Sequence, residues 1–343
     1  MPKHLLHAGL ALVLLGLALG KAAVFFGWSP DARDLVMAEG DRAEVDSETV
    51  LVLDRFEVVR YPSGKVRQYE SSVKALDRSD RRLSSSVISV NHPLRLNGWW
   101  IYQYGWGPDE TGATCTQLRC VKDFGLPVAA LGGALLLVSS LLFVLPPLNS
   151  LNPLNLLNPL NHLNPLNLLN PFNHLNPLNP LNHLNHLNHL NLLNLLPRHL
   201  FALVVVSLPV FIIGRAVLRP EPVPALQSPL MAPHVAAYAA SYLILLFAAC
   251  GIGRRFVPLG FFFMTAGLVL GAVWGKIAWS EWWQFDPKEN WSFVTWLAFA
   301  ASLHFPPDSR PARWLERAGG VLIVITLTWV NFARMASGLH SYA

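Results

Sequence analysis

The feature that most limits what this chain can fold into is a series of long apolar runs. They lie at roughly 8–26, 126–145, 200–218, 235–252, 257–276, 287–305 and 318–336. Each approaches the ~20 residues that a helix needs to cross a bilayer. Composition agrees, because 52% of the 343 residues are hydrophobic and 14% are charged, where soluble domains average about 25% charged. The expected fold class is an all-α polytopic membrane protein with about seven transmembrane helices, carrying a small β-rich extracytoplasmic domain. The net charge of +5 is spread between the apolar runs. A nucleic-acid surface needs a clustered basic face, so membrane lipid is an expected partner and nucleic acid is not.

Arg254, Arg255, Arg310, Arg313 and Arg317 occupy short links, and Arg198 precedes the third run. The positive-inside rule puts these on the cytoplasmic side, with Lys3 inside and the C-terminus outside. The first run, within 1–26, has two readings. It is an uncleaved anchor with Lys21 snorkelling outward, or a signal peptide ending near Lys21-Ala22-Ala23. The weak small-x-small site favours the anchor.

Residues 27–125 then form an outside domain. Thr49–Arg60 and Lys65–Leu76 flank Tyr61-Pro62-Ser63-Gly64, a hairpin turn by composition. Val87–Val90 and Trp99–Tyr104 add strands rich in β-branched and aromatic residues. Cys115 and Cys120, with four residues between them and no following His, are not a C-x-x-C-H haem attachment site; on the oxidising side of a membrane they predict a local disulfide. Cys250, inside an apolar run, reads as a buried structural thiol. After the second helix, 126–145, residues 146–198 repeat Leu-Asn with Pro, His or Leu, as in Leu163-Asn164-Pro165-Leu166-Asn167. Frequent Pro at that period defeats an α-helix, so a cytoplasmic low-complexity linker is expected. His162, His174, His183, His186 and His189 within it are metal ligands or, the plainer reading, products of repeat expansion.

The most informative stretch runs from Trp274 to Trp296 in the last part, 199–343, and holds Trp274, Trp279, Trp282, Trp283, Trp291 and Trp296, six of the chain's 12 Trp. Interfacial anchoring explains one or two Trp. Six around a polar loop offer instead a flat apolar surface suited to a planar aromatic ligand such as a porphyrin. Asp286-Pro287-Lys288-Glu289 has an independent meaning as a helix start, with an Asp N-cap, Pro at the first helical position and Glu three residues after the cap. His234 and His340 fall on the same outer face as this loop, and His304 lies near the inner end of the sixth run.

This stretch resembles the tryptophan-rich "WWD" motif of the haem-handling proteins of cytochrome c biogenesis, most closely the CcsA/ResC branch. The resemblance rests on Trp274, Trp279, Trp283, Asp286-Pro287-Lys288-Glu289, Trp291, Thr295-Trp296 and Leu303-His304. It continues in Gly338-Leu339-His340-Ser341-Tyr342 and in Gln227-Ser228-Pro229, His234-Val235 and Ser241-Tyr242. Ser280, Phe285 and Asn290 depart from the family's usual Gly, Trp and Thr. A second resemblance, to the extracytoplasmic part of the ResB/CcsB partner, covers about 38–145. It rests on Phe56-Glu57-Val58, Tyr61-Pro62-Ser63-Gly64, Tyr69-Glu70-Ser71, Asn91-His92-Pro93-Leu94, Gly98, Tyr102-Gln103 and Val121-Lys122-Asp123. The chain looks like a shortened fusion of the two partners.

The resemblance implies haem as cofactor, with His234 and His340 as paired axial ligands to its iron, a role His commonly fills. It also implies a membrane-embedded haem-receiving role for His304, whose candidate partner by depth is His7. His92 reads as a surface residue. The implied function is binding and delivery of haem at the outer face of a bacterial-type inner membrane for covalent attachment to apocytochrome c. Apocytochrome c and thiol-reducing thioredoxin-like proteins are the implied partners. Whether the chain itself ligates haem, as a synthetase, or passes haem on as a chaperone or exporter stays open. An unrelated polytopic transporter is the reading from another class; intramembrane charge pairs and Gly/Pro-broken helices would favour it, and neither is evident.

Overall fold

The computed structural model describes residues 2–27, 32–108, 112–145 and 220–332. The third apolar run, the Leu-Asn segment and His340 lie outside the described residues. The element order begins with helix α1 (Pro2–Phe25). Eight strands follow: β1 (Arg33–Met37), β2 (Arg42–Glu44), β3 (Val50–Arg60), β4 (Val66–Leu76), β5 (Arg82–Ser89), β6 (Leu94–Leu96), β7 (Trp99–Pro108) and β8 (Thr114–Val121). The remaining helices are α2 (Leu126–Val144), α3 (Met231–Ala249), α4 (Val257–Trp279), α5 (Pro287–Ser302) and α6 (Arg310–Phe332).

The strands form two antiparallel four-stranded sheets, ordered β1-β8-β7-β6 and β2-β3-β4-β5. Leu51, Leu53, Val73, Ala75 and Ile88 from one sheet and Trp99, Ile101 and Leu118 from the other are buried together in one core. The β3–β4 hairpin forms where the Pro-Ser-Gly turn places it, with Gly64 at φ 86°, a conformation that Gly adopts without strain. His92 is exposed.

The expected disulfide does not form. Cys115 and Cys120 are buried thiols on the same strand, β8, with no disulfide between them. Five residues along a strand span roughly 16 Å, far beyond the ~7 Å limit between bridged Cα atoms. Strand alternation also sends the two side chains to opposite faces. Burial pushes the Cys120 thiol pKa up to about 12. Cys250, expected to be buried, is half-buried at the C-terminal cap of α3.

Four described helices or helical stretches are long and apolar enough to cross a membrane: Pro2–Phe25, Leu126–Val144, Met231–Ala249 and Arg254–Trp279. These and the sheets make a multi-pass membrane protein with a small β-rich part. The expectation of seven spans is not met among the described residues. α5 has 16 residues, about 24 Å at 1.5 Å per residue, because Pro306-Pro307 bars the helix from continuing. α6 opens with Arg310, Arg313, Glu316 and Arg317, and only 318–332 of its expected apolar run is described.

α1 and α2 pack antiparallel with their backbones in contact. A Cβ on Gly132 would lie 2.7 Å from the Gly9 carbonyl oxygen, and one on Gly16 would overlap the backbone of Ala129. Small residues permit such close helix approach in membranes. Leu6 of α1 and Leu136 of α2 then join Leu245, Phe261, Met264, Trp296, Phe299 and Ile323 in a single helical core.

Candidate functional site

One end of the bundle carries the aromatic loop. α4 ends at Trp279, and Ser280 takes the left-handed conformation at φ 71°. This explains why Gly is usual at that position in the family it resembles. Lys276 Nζ donates to the Ser280 carbonyl at 2.8 Å and supports the turn. The loop re-enters helix at Asp286 through a capping box. The Lys288 N–H donates to Asp286 Oδ1 at 2.8 Å. Glu289 Oε2 accepts from the N–H groups of Asp286 and Gln284, at 3.3 and 2.8 Å. Asp286 is buried, and its carboxylate caps the helix as its position after the loop predicts. Asn290 ties the loop further, donating to the Phe285 carbonyl at 2.8 Å and accepting from Trp283 Nε1 at 3.4 Å. Phe285 itself points out, 75% exposed.

The six Trp of this stretch separate into two kinds. Trp274 and Trp296 are packed inside. Trp274 Nε1 donates to the Ala225 carbonyl at 3.1 Å, and Trp296 Nε1 donates to Thr265 Oγ1 at 3.0 Å. Trp296 also stacks on Phe293, with centroids 5.9 Å apart. Trp279, Trp282, Trp283 and Trp291 are half-buried and keep part of their faces accessible. The aromatic surface is therefore smaller than six rings, with two of them serving as its support.

His234 lies in the first turn of α3, beside this loop. Its ring stands 5.6 Å from Trp274 and 5.2 Å from Tyr238 by centroids. Nδ1 lies 2.9 Å from the Gly267 carbonyl oxygen. A carbonyl only accepts, so Nδ1 carries a proton, and such a bond from the other ring nitrogen is what orients ligating histidines. A Cβ on Gly271 would come within 2.7 Å of the ring, so the glycine there makes the seat. His340, the expected partner, lies outside the described residues.

The opposite end of the bundle brings together the other two histidines. His304, just beyond the α5 cap at Leu303, has its Nδ1 2.8 Å from the Ala300 carbonyl oxygen. Its Nε2 lies 3.1 Å from His7 Nε2, and the rings stack with centroids 5.1 Å apart. In the neutral tautomer that donates Nδ1–H to Ala300, His304 Nε2 is the acceptor of this contact and His7 Nε2 the donor. Leu6, Leu10, Trp296, Leu297 and Phe305 line, with the two exposed rings, an open cleft of about 310 Å³. Lys3 Nζ donates to the His304 carbonyl at 3.3 Å and pins the α1 end to the same turn.

A third cluster joins the sheets to the helices. Gln227 Nε2 donates to the Arg67 carbonyl at 2.6 Å, Tyr61 Oη to the Pro222 carbonyl at 3.1 Å, and Asn91 Nδ2 to the Pro224 carbonyl at 2.8 Å. Two motifs far apart in sequence are thus one contact. The sequence reading missed the ion pair between Asp123 and Lys276, 2.5 Å apart. A lone lysine near the end of an otherwise apolar helix was the available signal.

Comparison with known proteins places two similarities on this framework. Residues 3–142 match the ResB-like family, and residues 251–341 match the family described as "Cytochrome C assembly protein". A protein of Prochlorococcus marinus (strain MIT 9312) named "Cytochrome c biogenesis protein CcsA" is 43% identical over 96 residues, covering 26% of this chain and 30% of that protein. Proteins of the same name from Gloeobacter violaceus and Synechococcus sp. (strain RCC307) are 46% and 40% identical over 96 residues. Against these curated relatives the chain spans about a third of their length. The polypeptide thus joins a part similar to the ResB-like family to a part similar to the cytochrome c assembly family.

Proposed function

We propose that the chain handles haem in cytochrome c maturation, in the bacterial-type inner membrane, receiving haem at His7 and His304 and presenting it outside at His234 and His340. The observation that carries this reading is the stacked His7–His304 pair at 3.1 Å in an apolar cleft, at the end of the bundle opposite the Trp loop. An ionisable pair against membrane-spanning helices is functional by default, and imidazole is a common ligand of haem iron. The apolar walls suit the porphyrin faces.

Haem is cargo here, and once bound it supplies the iron that the imidazoles hold and the vinyl carbons that become joined to cysteine. The protein holds and orients. At the outer end, His234 is fixed in tautomer by Gly267, and Trp279, Trp282 and Trp283 border the loop beside it. Holding haem in one orientation for the thiols of apocytochrome c converts an encounter into a positioned reaction. Those thiols must be reduced to react, so thiol-reducing thioredoxin-like proteins belong with apocytochrome c among the partners.

The test is haem content and absorption spectrum of purified protein, with complementation of a strain unable to assemble cytochromes c. The wild type is expected to copurify with haem and to complement. The pairs His7→Ala/His304→Ala and His234→Ala/His340→Ala are each expected to lose or alter the bound haem. Normal haem content, spectrum and complementation in both double variants would refute the reading.

A further inference from the structure

The sheets and the aromatic loop meet at one carboxylate. Asp123, two residues beyond β8, places Oδ2 2.5 Å from Lys276 Nζ, and the same oxygen accepts from Trp282 Nε1 at 3.3 Å, 159 residues along the chain. Lys276 is 1% exposed. Its ammonium also donates to the Ser280 carbonyl and lies 5.8 and 5.5 Å from the ring centroids of Trp100 and Tyr102 on β7. The cation therefore touches the α4 cap, the loop and the sheet at once. A buried ammonium without a partner is strongly unfavourable, so Lys276 has to bring Asp123 with it wherever it goes. The hydroxyls of Tyr102 and Ser280 are buried with no hydrogen-bond partner among the described residues. The charged contact, and not a hydroxyl network, therefore carries the polar adhesion at this junction.

We propose that Asp123 and Lys276 are positioning residues that fix the Trp loop to the β-sandwich, so that the sheets set where Trp282 stands. This deepens the haem-handling reading and rests on it: the surface offered to haem at the outer end is assembled from both parts of the chain. The capping box anchors only the far side of the loop, at Asp286. On the near side Ser280 is held in a left-handed conformation that a non-glycine residue adopts at a cost. Lys276 offsets that cost by binding its carbonyl.

The experiment uses the full chain in detergent, with chymotryptic cleavage at the loop aromatics and the haem absorption spectrum as separate readouts. Asp123→Asn and Lys276→Met are each expected to speed loop cleavage at least about tenfold, since breaking a buried pair is strongly destabilising, and to shift the spectrum. The double variant Asp123→Asn/Lys276→Met leaves no buried charge unpaired. It is expected to accumulate normally and keep the β3–β4 hairpin protected, while its loop stays open to protease. Asp123→Glu should retain most of the protection. Wild-type loop protection in the double variant would overturn the proposal, as would equal acceleration in loop and hairpin. If the wild-type protein holds no haem, the haem-handling reading fails, and the protease arm still decides whether the pair positions the loop.

Discussion

The two ends of the helical bundle are built on different principles. At the His7–His304 end, two imidazoles face each other in an apolar cleft. At the other end, His234 donates to the backbone of α4, and the loop beside it is held by a capping box, an asparagine and a carboxylate from the sheets. The first end depends on the placement of two helix termini. The second depends on polar ties that hold irregular backbone in place. The lesson is that loss of one side chain should be local at the first end and distributed at the second.

The largest effect should come from removing an imidazole. His304→Ala is expected to lower haem retained at that end at least about a hundredfold, because removing even groups that only support metal ligands costs 10–100-fold. Haem per folded protein measures it, and His234→Ala should leave a different residual spectrum. Identical residual spectra would erase the distinction between the ends.

A smaller effect should follow from moving α1 without touching a histidine. Gly16→Leu forces the α1 and α2 backbones apart, since even a Cβ there meets Ala129; overpacking of this kind costs about 1–3 kcal/mol. Haem binding at His7–His304 should weaken, while loop protection at the other end stays as in wild type. Loosening at both ends would show that the bundle transmits the displacement.

At the loop end, Asp286 separates capping from charge. Asn caps about as well as Asp, and Ala costs about 0.5–2 kcal/mol. Asp286→Asn is therefore expected to keep most stability and haem, and Asp286→Ala to lose both together. Equal, complete haem loss in the two variants at normal expression would give the carboxylate itself a role beyond the cap.

The smallest effect is expected in the strands. Without reductant, Cys115 and Cys120 should both remain free thiols by mass spectrometry, and Cys120 should resist alkylation near neutral pH until the protein unfolds. Burial holds its thiol near a pKa of about 12, so almost no thiolate is present to react. A Cys115–Cys120 disulfide would contradict the strand register.

What could be read from the sequence was local. The Tyr61-Pro62-Ser63-Gly64 turn and the Asp286–Glu289 cap are written in adjacent residues, and both appear where their chemistry puts them. Hydrophobicity alone overextends α5, because it runs on through Leu303 and Phe305 toward Pro306-Pro307 while the helix ends at Ser302. Cys115 and Cys120 lie on a strand that the sequence pattern does not announce, and on a strand five positions apart means opposite faces. The pairing of His7 with His304 was visible only as similar depth, since no local pattern links residues 297 apart. The Asp123–Lys276 contact left less trace still, because a buried ion pair between distant segments has no periodicity. Trp274 and Trp296 show the converse: a motif that reads as one aromatic surface is partly scaffold.

The two facing imidazoles come from the ends of the chain that resemble different families, His7 from the stretch matching one and His304 from the stretch matching the other. Carried on separate polypeptides, the two rings would meet by a second-order association limited by how much of each protein is made. On one polypeptide their meeting is first-order, at a local concentration set by the tether rather than by expression. Stoichiometry is then one to one by synthesis, no surplus of either half can accumulate with an orphaned ring, and dilution in the membrane leaves the pair intact.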